Sequence, residues 1–167
     1  MTGAYIDWCT AAQMLLLAFV GDLTGEYGNF IIAQQAALRM LADRTGTALT
    51  DDDARGVVDA MSSLPPHPEA RGALTRLHDN PLNMIVLTNS VPPVAEEQLQ
   101  QAGLQDLFDA AISADTVGRL KPAPEPYRAV GVHFGVPTAE VRLVAAHPWD
   151  SSGALAAGPP WSGGPEP

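Results

Sequence analysis

Basic residues, cysteine and long apolar runs are all scarce in this sequence. Of its 167 residues, 9 are Lys or Arg against 19 Asp or Glu, a formal charge of −10. Affinity for a phosphate backbone rests on clustered Lys and Arg, so the balance argues against a nucleic-acid partner. It disfavours an anionic membrane surface for the same reason. A small anionic substrate stays open, because a local pocket can be cationic within an acidic protein. The single cysteine, Cys9, excludes an internal disulfide framework and a CxxC metal site. It reads as a reactive thiol or as a small apolar filler. The longest strongly apolar stretch, 14–20, is far too short to span a bilayer. No basic region precedes it, as a signal peptide would require, and the cytoplasm is the expected compartment. No internal repeat is visible.

What is present suffices for a core: 46% of residues are hydrophobic, and a chain of this length needs no covalent staples. The first half reads as helical. Helices are expected over 8–20, ended by Gly21-Asp22, and over 30–43. A third starts from the N-cap Thr50, with Asp51, Asp52 and Asp53 in its first turn, and runs to about Met61. Prolines at 65, 66 and 68 form a rigid connector and mark the boundary between two units. A short helix over 69–78 follows. Beyond it the pattern alternates, with strands at 83–88, 110–113 and 141–146 and helices at 94–102, 124–134 and 151–157. Strand-helix alternation predicts a doubly wound α/β parallel sheet. The Pro/Gly/Ser-rich tail 159–167 reads as disordered. The expected division is a helical region 1–63, an α/β core 64–158 and that tail.

Ligands of an open α/β sheet bind beyond the carboxyl ends of its strands. The first predicted strand ends in Thr88-Asn89-Ser90 and the last leads into His147-Pro148-Trp149-Asp150, with Leu120-Lys121-Pro122 between them. Hydroxyl, amide, ammonium, imidazole and carboxylate groups therefore gather at one sheet edge, an arrangement suited to an anion. Each has a plainer reading. Thr88 and Asn89, or Asp150, can be helix caps, Lys121 an exposed loop lysine, His147 a loop residue and Trp149 ordinary packing. His67, His78 and His133 have no metal-site spacing.

Taken in order, Thr88-Asn89-Ser90, Gly103-Leu104, Leu107-Phe108-Asp109, Leu120-Lys121-Pro122-Ala123-Pro124 with Tyr127, and His147-Pro148-Trp149-Asp150 with Gly153-Ala154 and Ala157-Gly158 resemble the haloacid dehalogenase superfamily, and within it the type II 2-haloacid dehalogenases. Trp8, the 24–30 segment Thr-Gly-Glu-Tyr-Gly-Asn-Phe and Ala37-Leu38 are similar to that family's helical cap, and 64–68 to the return from cap to core. The resemblance covers roughly residues 8–158. It implies a Rossmann-like parallel sheet with a helical cap, whose central first strand is missing from this sequence.

In that family an aspartate displaces halide from the substrate carbon and water hydrolyses the aspartyl ester, a form of covalent catalysis. By resemblance, Thr88 would hydrogen-bond the nucleophile or the substrate carboxylate, and Asn89 would cradle the leaving halide. Lys121 would keep the nucleophile ionised, Asp150 would orient or activate water, and Trp149 would wall the pocket beside the substrate-binding His147. Where the family has Ser and Asn, this sequence has Ala145 and His147, and where it has an arginine after the cap tryptophan, this sequence has Cys9. The family opens with a strand ending in Asp-x-x-Gly-Thr. No such motif precedes the cap here, and Asp7 is the nearest candidate. The expectation is an aspartyl-ester hydrolase of small 2-haloacids, apparently truncated at both ends and inactive as it stands for want of the nucleophile. It needs no cofactor and takes a small anionic substrate; a homodimer would suit the apolar first helix. One alternative is a Mg²⁺-dependent phosphatase of a small phosphate ester, disfavoured because no carboxylate stands near 145–147 to supply Mg²⁺ with oxygen. The other is a non-catalytic relic that binds a small anion.

Overall fold

The computed structural model describes residues 8–158, with side chains from Thr10 onward. Three helices come first: α1 (Trp8–Thr24), α2 (Phe30–Thr45) and α3 (Asp51–Ser62). Gly21 does not stop α1. Its missing Cβ makes room for the returning chain, since a Cβ there would lie 2.9 Å from the Glu26 carbonyl oxygen. The Asn29 side chain accepts the Ile32 N–H to start α2. Thr50 and Asp53 cap α3 reciprocally, each side chain accepting the other's backbone N–H. The proline-rich segment that follows is not helical, and α4 (Ala70–His78) resumes beyond it.

The sheet has two parallel strands, β1 (Ile85–Thr88) and β2 (Ala110–Ser113), joined through α5 (Pro92–Gln101). Ile85 pairs with Ala110 and Thr88 with Ser113. A parallel pair in this register ends side by side, so the loops after Thr88 and Ser113 leave from the same edge. α6 (Pro124–Phe134) and α7 (Pro148–Ala157) complete the fold.

Residues 141–146 form no strand, against the sequence expectation, and Val144 is 85% exposed. An apolar run becomes a strand only where a neighbour takes its N–H and C=O groups. Here β1 and β2 pair with each other, and no third strand adjoins them among the described residues.

The core lies where the helical third meets the sheet edge. Met14 and Ala18 of α1 and Ala33 and Ala37 of α2 pack with Ala114 and Leu120 from the segment after β2. The alanines let the two helices approach closely, and Leu120, 1% exposed, plugs the junction. Its neighbour in the chain is Lys121.

Candidate active site

Parallel pairing brings Asn89, just after β1, beside the segment that follows β2. The Asn89 side chain accepts the Lys121 N–H (2.8 Å) and donates to the Lys121 carbonyl oxygen (3.1 Å), so its amide pairs with the main chain as a neighbouring peptide would. Main chain held in this way aims the Lys121 side chain back under β1. Its ammonium donates to the Leu87 carbonyl oxygen at 2.9 Å and to Asp150 Oδ2 at 2.9 Å. It also lies 5.8 Å from the centre of a Trp149 ring, within cation–π range. Lys121 and Asp150 are 8% and 5% exposed. Neither plainer reading survives: Lys121 is not a loop lysine in water, and Asp150 is not a cap. The N-cap of α7 is His147, and Asp150 sits inside the first turn, where the helix dipole favours a carboxylate.

The second Asp150 oxygen is also engaged. The Tyr127 hydroxyl, on α6, lies 2.5 Å from Asp150 Oδ1 and 3.0 Å from the Asp150 carbonyl oxygen. Burial, then the bond to Asp150 and its charge, push the Tyr127 hydroxyl well above the usual tyrosine range. Glycine at 153 permits this closeness, because a Cβ there would fall 2.5 Å from the Pro122 oxygen and 2.6 Å from the Tyr127 hydroxyl. Trp149 stacks on His147 (5.5 Å, 28°) and takes the Phe19 ring edge-on at 5.3 Å, so α1 contributes to the same wall. Among the described residues the buried Trp149 indole N–H has no hydrogen-bond partner.

Of the residues singled out from sequence, Asn89, Lys121, Asp150 and Trp149 come together. Thr88 and His147 stand close in the chain, but their side chains make no hydrogen bond to Lys121 or Asp150 among the described residues; His147 meets Asp150 only through its carbonyl oxygen, which accepts the Asp150 N–H at 3.1 Å. The Thr88 hydroxyl instead accepts the Ser90 N–H (3.1 Å), and His147 is exposed. Neither Thr88 nor Asn89 caps α5, whose N-cap is Val91. Asp7 and the tail 159–167 lie outside the described residues, as do the side chains of Trp8 and Cys9. The string Asp-x-x-Gly-Thr does occur at 43–47. There it closes α2, with Asp43 exposed and Gly46 as the left-handed cap (φ 64°), not the end of a strand.

The sequence reading gave no site role to two partners, Tyr127 and Asp22. Tyr127 carries a local signal, for a tyrosine in the first turn of a helix at a sheet edge needs a partner for its hydroxyl when buried. Asp22 carries none, since its contact to Arg119 spans 97 residues.

A family model for the haloacid dehalogenase-like hydrolases matches residues 11–158. The chain belongs to that family. It is 31% identical over 152 residues to the (S)-2-haloacid dehalogenase of Xanthobacter autotrophicus, covering 91% of this chain and 59% of that one. The solved structure of the L-2-haloacid dehalogenase of Xanthobacter autotrophicus with chloropropionic acid covalently bound superposes with a TM-score of 0.84 at 30% identity, over 90% of this chain and 60% of that one. A phosphoglycolate phosphatase of Neisseria gonorrhoeae is 31% identical over only 93 residues, 56% of this chain and 39% of that one. This haloacid dehalogenase-like chain spans less than two thirds of the length of the curated dehalogenases it resembles.

Proposed function

We propose that this protein is a hydrolytic 2-haloacid dehalogenase. The observation that carries the reading is the buried Lys121–Asp150–Tyr127 cluster, held at the carboxyl edge of the sheet by Asn89. In the proposed reaction a carboxylate attacks the halogen-bearing carbon, an oxygen–carbon bond forms, and halide leaves with the bonding electrons. Water then adds to the ester carbonyl, releasing the 2-hydroxy acid and regenerating the carboxylate.

Lys121 would stabilise the attacking carboxylate and Asp150 would orient the water. Asn89 would cradle the departing halide, Thr88 the substrate carboxylate, and Trp149 with His147 would wall the pocket. On this reading the described residues up to 63 serve as cap and 64–158 as core. The described strands end in Thr88 and Ser113, neither of them an aspartate, so no described strand end supplies the attacking carboxylate.

No cofactor is required on this reading. The described residues do not fit Mg²⁺: among them no three His, Cys, Asp or Glu side chains gather into a cation site. No described helix is long and apolar enough to cross a membrane. A cytoplasmic homodimer completes the proposal, supported by exposed Leu16, Val20 and Ile32 on α1 and α2.

The test is chloride release from (S)-2-chloropropionate by the full-length protein. Release insensitive to EDTA and abolished by Lys121→Met supports the reading. A folded full-length protein that releases none refutes it. EDTA-sensitive turnover of a phosphate ester would favour the phosphatase, and weak anion binding without turnover the non-catalytic alternative.

A further inference from the structure

Lys121 is the only lysine in the sequence, and its main chain is pinned from two sides. Asn89 holds its N–H and carbonyl from the sheet edge. One residue earlier, the pin comes from the helical third of the molecule. Asp22, near the end of α1, accepts the Leu120 N–H at 3.0 Å and receives the Arg119 guanidinium through Nε and Nη2 at 3.0 Å each. The Asp22 side chain is 11% exposed, so these bonds are shielded from competing water. A second tie, Tyr27 to Asp115 at 2.5 Å, also joins the two parts but lies at the start of the segment, away from Lys121.

We propose that Asp22 is a positioning residue: from α1 it fixes the 119–121 main chain, so that the helical third sets where the Lys121 ammonium points. The ammonium reaches both the Leu87 oxygen and Asp150 only if its Cα is fixed, because a lysine side chain has several free torsions. Asn89 alone leaves the chain free to pivot about Lys121, and the Leu120 N–H bonded to Asp22 removes that freedom. Arg119, clamped to Asp22 and 3.6 Å from Glu125 at the start of α6, carries the restraint towards Tyr127. This inference rests on Lys121 being the cation of the proposed site.

The lone lysine makes the test direct. The chain is treated with acetic anhydride, and Lys121 acetylation is followed by peptide mass mapping, which separates it from the amino terminus. In the unchanged chain the buried ammonium reacts slowly. Asp22→Ala is expected to raise its rate about tenfold, the scale of one charge-assisted hydrogen bond lost, and Asp22→Asn, which keeps an acceptor for Leu120, by less. Tyr27→Phe cuts the other tie and is expected to lower the melting temperature while leaving the Lys121 rate unchanged. A folded Asp22→Ala chain that reacts at the original rate overturns the proposal. So does a Tyr27→Phe chain that reacts as fast as Asp22→Ala. Acetylation reads geometry without turnover, so loss of the dehalogenase reading would appear in the halide assay and not here.

Discussion

Between α1 and α2 the core is Met14, Ala18, Ala33 and Ala37, with Thr10 the one buried polar residue among the described side chains of these two helices. Around the sheet edge the buried set includes Asn89, Ser113, Lys121 and Asp150. The first region gains stability by area, in small increments that depend little on direction. The second depends on pairing, where each partner left alone is more costly than the pair is favourable. Single substitutions should therefore have graded effects in the helices and near all-or-none effects at the edge.

The largest test of that contrast is Asp150→Ala, which strands the Lys121 ammonium in a buried site. Denaturant unfolding should show a loss of about 3–5 kcal/mol, the range for breaking one side of a buried ion pair. A loss no larger than that of an exposed pair would erase the distinction between the regions. Leu120→Ala, at the junction, should cost about 2–5 kcal/mol by leaving a cavity under α1 and α2.

Tyr127→Phe sharpens the comparison with pH. Burial and a neighbouring carboxylate raise both Tyr127 and Tyr27 in the fold, through Asp150 and Asp115 respectively. An unfolded tyrosine ionises near pH 10. Above that pH the folded chain holds protons that the unfolded chain has released, so stability falls as pH rises. The contribution is complete below about pH 10 and is lost towards the raised folded values. Melting temperature should drop steeply above pH 10, and the slope should flatten in Tyr127→Phe and flatten further when Tyr27→Phe is added. The smallest effect is expected at Thr50→Ala, about 1 kcal/mol for the lost cap of α3, read by the same thermal melts.

Local chemistry was legible in the sequence and long-range pairing was not. α6 begins and ends where expected because proline occupies its first turn and Gly135 its left-handed stop, both written within a few residues. β2 was legible as a short apolar run, and its partner was available. The same logic failed at 141–146, because a strand exists only by agreement with a neighbour. At the site, the residue types at strand ends named Lys121 and Asp150. That they meet across 29 residues, with Tyr127 on the other carboxylate oxygen, rests on how α7 packs against α6. The contact of Asp22 with Arg119 had no sequence signal at all.

The unpaired 141–146 segment has a consequence for handling the protein in solution. Val-Arg-Leu-Val-Ala-Ala combines strand-forming side chains with little charge, the pattern that templates intermolecular sheets when left at an edge. Arg142, exposed in its midst, is the segment's single gatekeeper against self-association. Resistance of this segment to self-association therefore rests on one guanidinium, five residues before His147 of the proposed site.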